Sequence, residues 1–547
     1  MAPTGRANQR FASSILCIGS FLWGYNVVML PFVDNNPGYT KYFHGRGPGV
    51  MKVIAAVFYI GACAFGSYHG PFLQRCIGYR EALIWQMLIG ILGVGLQVGM
   101  KKDAALPMTV CGRLFAGAGL WSVHIGVPIF LCEIAWKYER GRYISKHQTA
   151  IMVGVSAALW ATLATTASTD PWIKHNGWRL LLGVQLLPMA IFCVMMLYIK
   201  EGPRNLIFRN PRLEDRAEEA MEHYREGLVS GADATEEIED IFFVDKVYAV
   251  RKMDAALNYD SGWLDLNLQI FIKPKFIQMM WKVALLFFMA ELCGASAVSQ
   301  WAEKEAVGLG LRPSLAKGSA AVESLVKILF TWIAGWFMDR VGRKRTLFMG
   351  MAIMVVCLAV LGSLPSADSS GRHPHTHGPR FVAIIFIFLY DIGFALGYST
   401  LRWVCGTEFF PLPLRATALS IASFAGIGGY MLQEHAMQLA INWAGKWWFF
   451  MYMALILSTV MIIYHQYPET NGHILEHCEN FFHFWSCWKL SNNEVNEALH
   501  GGIPPQEIEM MPVQPRYLRR NIIKRQKEEE RARRERRERE RANAPYV

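Results

Sequence analysis

Twelve times along its length this chain presents an apolar run of about 20 residues that is nearly free of charge, the length a helix needs to cross the hydrocarbon of a bilayer. Backbone inside lipid must satisfy its own hydrogen-bonding groups, so runs of this length are expected to be helical. They lie near residues 13–33, 50–70, 82–100, 108–132, 150–167 and 180–199, and again near 283–298, 315–338, 346–364, 382–405, 419–439 and 448–464. The expected fold is an all-α membrane protein with twelve transmembrane helices in two pseudo-symmetric six-helix bundles. Its parts are a cytoplasmic N-terminus (1–12), an N-terminal bundle (13–200), a small cytoplasmic helical linker (201–275), a C-terminal bundle (276–467) and a charged cytoplasmic tail (468–547). The chain of 547 residues, 53% hydrophobic and only 18% charged, has the composition this requires.

The halves carry a common signature. Glu133-Ile-Ala-Trp-Lys-Tyr-Glu-Arg140 follows the fourth run, and Glu408-Phe-Phe-Pro-Leu-Pro-Leu-Arg415 follows the tenth, about half the chain later. An acid precedes an arginine by the same interval in both, the mark of a duplicated membrane domain.

The net charge of +11 is uneven and concentrates in 137–146, 340–345 and 516–541. By the positive-inside rule these segments face the cytoplasm, which places both termini and the linker there. The first run lacks a small-residue cleavage site and is read as a retained helix. The eleven cysteines have neither zinc-site nor disulfide-framework spacing and are read as packing residues. The linker shows helical periodicity near 214–226 and 235–250, broken at Ser230-Gly231. His373, His375 and His377 alternate in the loop 366–378, where a solvated external loop is favoured over a metal site because no further ligand flanks them. The tail alternates Arg and Glu runs from Asn521 to Arg541, either a solvated arm or one that touches anionic inner-leaflet lipid; nucleic-acid binding is not expected. No Ser-His-Asp or Cys-His constellation, phosphate-cradling loop or metal-ligand spacing points to an enzyme, and no cofactor is expected.

Ordered motifs carry a resemblance. Gly335-Trp-Phe-Met-Asp339-Arg340-Val-Gly342-Arg343-Lys344 falls in the tight turn between spans eight and nine. Gly112-Arg113-Leu-Phe-Ala-Gly117-Ala-Gly119 lies in span four, with Pro128 to Glu133 and Arg140-Gly141 at its exit. Lys200-Glu201-Gly202-Pro203-Arg204 follows span six, and Pro468-Glu469-Thr470-Asn471-Gly472 follows span twelve. With these the chain resembles the sugar porter family of the major facilitator superfamily, the fungal hexose permeases among them, from about Ser13 to Glu476. The resemblance implies that Glu133, Arg140, Asp339, Arg340, Arg343, Glu408 and Arg415 are gate residues joining the cytoplasmic ends of the bundles. Ion pairs near the aqueous boundary are individually weak, so such a network is expected to break and reform as the bundles rock. In the first-half copy of the turn, Gln74-Arg75-Cys76-Ile77-Gly78-Tyr79-Arg80, Arg75 stands where the acid belongs, and a weaker or rewired latch is expected.

The resemblance also implies a substrate site. Gln148, with Gly154 six residues later, is similar to the family's sugar-binding glutamine in span five, and Trp403 to its ring-stacking tryptophan in span ten. Other positions depart: Ala290-Glu291-Leu292-Cys293-Gly294-Ala295-Ser296 replaces Gln-Gln-Leu-Ser-Gly-Ile-Asn, Gln300-Trp301 replaces an aromatic pair, and Lys327 replaces an asparagine. A neutral hexose would lose much of its hydrogen-bonding shell. Intramembrane charge usually faces a partner or a cavity. Two readings of Lys327 therefore stand: an i,i+4 pair with Glu323, or a cavity group that, with Arg402, Glu291 and Gln148, surrounds a polar or anionic substrate.

Asn26 stands where the family's proton symporters have an acid that works against the span-four arginine, here Arg113. That route to proton coupling is expected to be absent, with Glu291 or Glu434 able to substitute. The sequence thus reads as a transporter of a sugar or related polar small molecule, working by alternating access as a monomer in the bilayer of the plasma membrane. Alternatives are a carrier or exporter of a sugar acid, a quinate-like compound or a specialised metabolite, and a non-transporting nutrient sensor, against which the short tail and the largely intact gate motifs argue.

Overall fold

A computed structural model describes residues 4–43, 49–136, 138–209, 214–225, 270–272, 274–308, 318–364, 377–410, 412–444 and 447–470. One compact unit comprises Met1–Leu228 and Asp260–Lys489; a second, Val229–Tyr259 with Leu490–Val547, lies outside the described residues. The second linker helix expected near 235–250, most of the histidine loop and the Arg/Glu tail therefore also lie outside them.

No strand occurs among the described residues, and the twelve apolar runs fall on twelve spans. Those of the first half are Thr4–Asp34, Val53–Ile77, Tyr79–Val98, Ala105–Ile134, Arg140–Ala167 and Pro171–Met196. Those of the second are Phe276–Ser299, Gly318–Val341, Arg343–Ser363, Pro379–Glu408, Leu412–Ala444 and Trp448–Gln466. The helices overshoot the apolar runs because their ends carry polar groups that hydropathy excludes; span five starts at Arg140, ten residues before its apolar run. Spans two and ten each contain a π-helical turn, Gly61–Gly66 and Ala395–Ser399, and span seven breaks at Gly294. Within the linker, Pro203–Arg209 and Glu214–Arg225 are helical.

Lipid supplies no hydrophobic drive between helices, so close packing at small residues takes its place. Spans one and five pack where Gly24 faces the backbone of Ile151 and Gly154 faces that of Phe21, an approach that a Cβ on either glycine would block. Span five also packs on span eight, which joins the two halves.

The turn after spans two and eight is built the same way twice. Gly78 and Gly342 adopt φ of +103° and +104°, a region that side chains with a Cβ enter only with strain. Each glycine directs the next two backbone N–H groups at a carboxylate from the end of its own half. Tyr79 and Arg80 donate to Glu201, both at 3.0 Å, while Arg343 and Lys344 donate to Glu469 at 2.9 and 3.0 Å. An acid at a helix N-terminus satisfies orphan N–H groups and the dipole together. The motifs after spans six and twelve are thus capping groups that close each half into a unit. Burial pushes the Glu201 carboxyl up to about 7, against the lowering effect of its N–H donors.

Candidate functional site

At one end the two bundles are locked together. Glu408, fully buried, accepts Arg140 Nη1 of the N-terminal half at 3.4 Å, Arg343 Nη2 at 3.1 Å and the Thr470 hydroxyl at 2.5 Å. Asp339 accepts the first backbone N–H groups of span five, Gly141 at 2.9 Å and Arg142 at 2.8 Å, and lies 3.5 Å from Arg343. The Arg142 guanidinium lies 3.8 Å from the centre of the Trp336 ring, adding a cation–π contact between the halves.

The sequence placed these pairs at the aqueous boundary. In the closed state they are buried instead, with Arg140 and Arg343 side chains 2% exposed. Their strength therefore depends on the state of the gate: in low dielectric they are strong and mutually dependent, and once water enters they are replaced by hydration.

The two acid–arginine loops do not latch alike. Glu133 is compensated by Arg415 of the other half and by Arg204 and takes a backbone hydrogen bond from Asn205, while Arg415 Nε donates to Phe410 O at 3.1 Å, within its own loop. Arg340 is exposed, with its guanidinium 5.5 Å from the centre of the Trp336 ring. The bonded latch is the one built on Asp339, on the side where the turn keeps its acid.

Above the latch is a buried aromatic chamber. Trp403 Nε1 donates to Gln148 Oε1 at 2.7 Å, so two expected substrate residues from opposite halves touch. The Trp403 ring is met edge-on by Phe287 at 5.0 Å and by two histidines that the sequence reading did not single out, His124 at 4.7 Å and His147 at 4.5 Å. His124 also stacks on Trp23 at 4.8 Å, and His147 Nδ1 lies 2.7 Å from the Ser20 hydroxyl. His124 Nδ1, His147 Nε2 and Gln148 Nε2 are buried with no hydrogen-bond partner among the described residues.

The charged residues separate into pairs. Arg402 is ion-paired with Glu291, its guanidinium 5.7 and 5.8 Å from the centres of the Phe287 and Trp403 rings. Arg402 therefore sits at the chamber beside Trp403, although the two are about 100° apart on the helix. Lys327 is held elsewhere: its ammonium is 3.1 Å from Asp391, 3.8 Å from Glu323 and 3.1 Å from the Ser299 hydroxyl. It makes the expected i,i+4 pair with Glu323, and Asp391, an acid the sequence reading passed over, is nearer still. The side chains of Ser296, Gln300 and Glu434 lie outside the described residues.

Asn26 does not meet Arg113. It donates to Leu22 O and Gln185 Oε1, while the buried Arg113 is paired with both oxygens of Asp34, two turns further along span one. The signal for Asp34 was present in the sequence as the lone acid at the end of the first apolar run.

Twelve spans in two related halves, one latched end and a buried polar chamber between the halves define a membrane transporter that works by alternating access. The family model "Sugar (and other) transporter" matches residues 12–482, and the chain belongs to that family. A probable quinate permease of Aspergillus fumigatus is 25% identical over 434 residues, covering 78% of each chain. That of Aspergillus niger is 23% identical over 488 residues, covering 87% of this chain and 88% of its own. Among solved structures, the proton:xylose symporter XylE bound to 6-bromo-6-deoxy-D-glucose aligns with a TM-score of 0.70 at 20% identity, covering 87% of this chain and all of that one. The inward-open form of XylE from E. coli aligns at 0.55 and 18% identity, covering 86% and 98%. These structures share the fold.

Proposed function

We propose that this transporter carries a polyhydroxylated ring compound bearing a carboxylate, of the quinate type, in preference to a neutral hexose. The observation that carries the proposal is the set of orphaned polar atoms on His124, His147 and Gln148 around the Trp403 ring, with Arg402 beside them. A buried polar atom without a partner is costly, and ring hydroxyls would satisfy three of them at once. Trp403 and Phe287 offer apolar surface to the ring's C–H face. Arg402, already paired with Glu291, can exchange that carboxylate for the substrate's, which keeps its charge compensated throughout. The quinate permeases among the relatives agree with this reading, as does the loss of the span-seven amides.

The basic segments 137–146 and 340–345 support cytoplasmic placement of the latched end and of both termini. The same reading has the carrier act as a monomer in the plasma membrane, with the basic tail drawn to anionic inner-leaflet lipid.

The test is uptake of labelled quinate, gluconate, inositol and glucose in cells stripped of their own carriers. Quinate should enter with wild type, and R402A and W403A should each reduce that entry by about tenfold or more, the loss of roughly 1.4 kcal/mol of binding. Glucose uptake that exceeds quinate uptake and is indifferent to R402A would overturn the proposal.

A further inference from the structure

We propose that Glu323, Lys327 and Asp391 form a proton-carrying site in the C-terminal bundle, with one proton shared between the two carboxyls when the cytoplasmic latch is shut. Glu323 and Asp391 side chains are 1% and 0% exposed, and between them they have one cation, the Lys327 ammonium. With all three ionised the site holds one uncompensated negative charge inside the membrane, where low dielectric penalises it.

The hydrogen bonding points the same way. The donors beside the pair are the Lys327 ammonium, 3.1 Å from Asp391, and the Ser299 hydroxyl, which bonds Glu323, and of these only Lys327 carries charge. The two carboxyls are in hydrogen-bonding contact with each other, from span eight to span ten. Two acceptors face one another with no donor between them, and a proton supplies the donor. It also brings the net charge of the triad to zero, as for paired carboxylates generally.

Among the described residues the neighbouring elements supply no other compensating charge. Glu291 and Arg402 neutralise one another. Cys293, Tyr390 and Tyr398 are uncharged, the Tyr390 hydroxyl donating to Cys293 O at 2.7 Å. Of the titratable groups at the start of span five, Arg140 and Arg142 lie at the latch, Lys146 donates to the Ser13 hydroxyl of span one at 2.8 Å and His147 lies at the chamber, while Arg343 of span nine is at the latch. Glu303, Lys304 and Glu305, on the helix that continues span seven, lie outside the described side chains.

The position of the triad suits coupling. Glu323 precedes Asp339 by sixteen residues on span eight, about 24 Å along the axis. Asp391 shares span ten with Arg402, Trp403 and Glu408. The two helices that the proton joins thus carry both the substrate residues and the latch. A proton from water on the unlatched side forms an O–H bond on the carboxyl pair; once the latch opens and the other side closes, that bond breaks and the proton leaves to cytoplasmic water. The residual charge then favours return to the latched state, where the pair can be refilled.

The first arm of the test needs no substrate. Infrared difference spectra of the full chain in liposomes at neutral pH, wild type minus E323Q and wild type minus D391N, in which the part-protonated Glu201 carboxyl common to both proteins cancels, should each show a protonated-carboxyl C=O band that shifts in D2O, and wild type minus D34N should not. Absence of that band from both the E323Q and the D391N differences overturns the proposal. The second arm rests on the quinate reading. In liposomes loaded with a pH-sensitive dye, inward quinate should carry protons in wild type, while E323Q and D391N should lose proton entry yet keep exchange of labelled for unlabelled quinate. Quinate entry driven by sodium in place of protons overturns the proposal. Failure of quinate to enter at all overturns the substrate reading, and the infrared arm still decides the proton site.

Discussion

Replacing Glu408 with glutamine should open the latched end, by an amount the geometry sets. The substitution preserves shape and removes the charge that Arg140 and Arg343 share at 3.4 and 3.1 Å. Stripping one partner from a buried ion pair typically costs 3–5 kcal/mol, because the remaining cation is left buried and uncompensated. Two features reduce that figure. Arg343 retains Asp339 at 3.5 Å, and glutamine still offers an oxygen to the Thr470 hydroxyl. A net loss of about 2 kcal/mol from the closed state remains, while the open state, where water reaches both arginines, loses little. The closed-to-open ratio should therefore fall by about 30-fold.

Cys132 is a built-in reporter of this shift. Its side chain is fully buried, and Arg140, Arg415, Glu408 and Thr407 act on it. Alkylation by a water-soluble maleimide, read peptide by peptide by mass spectrometry, should proceed in proportion to the open population. Cys76, exposed at the end of span two, provides the reference rate. E408Q should label Cys132 faster by one to one and a half orders of magnitude at an unchanged reference rate, and R140Q should move it the same way. A folded E408Q protein in which Cys132 labels at the wild-type rate would refute the argument that this network holds the gate shut.

Other perturbations test the supporting structure. Asp34→Asn leaves the buried Arg113 cation without its carboxylate and should destabilise the folded protein by about 3–5 kcal/mol, with Arg113→Met on the same background restoring part of the loss in a thermal-unfolding assay. Gly342→Ala forces a Cβ into a backbone region at φ +104° and against Glu469, which should cost about 1–2 kcal/mol and lower the unfolding midpoint. Glu201 has its carboxyl raised from the ordinary 4.5 to about 7, so between those values the folded state binds more proton than the unfolded one. Its contribution to stability therefore falls as pH rises through that window, and Glu201→Gln should flatten the corresponding part of the midpoint–pH curve in detergent.

The bilayer makes the spans legible, because it forces each crossing segment to be apolar and helical over a known length. The π-helical turns and the overshooting polar ends are not legible that way, since they depend on what lies alongside. The capping role of Glu201 and Glu469 was visible only as a motif, because each acid closes a turn more than a hundred residues earlier in the chain. Gln148 and Trp403 could be singled out in the sequence because both retain the family's residue types at the right intervals, and the fold brings the two into contact. Asp391, His124 and His147 were missed, although a lone polar group inside an apolar run is itself a signal.

The charged residues show most clearly where reading along one helix runs out. The intramembrane cations take their nearest carboxylates from other spans: Arg113 from span one, Arg402 from span seven and Lys327 from span ten. The helical i,i+4 rule finds the Glu323–Lys327 contact at 3.8 Å but not the shorter one to Asp391 at 3.1 Å. Pairing across spans also decides what each charge can do. Arg402 and Glu291 balance one another, so substrate can enter by exchange; Lys327 faces two acids, and that surplus negative charge calls for a proton. The same side chain that, read alone, suggests an anion-binding lysine becomes, beside Asp391, part of a site that binds a cation.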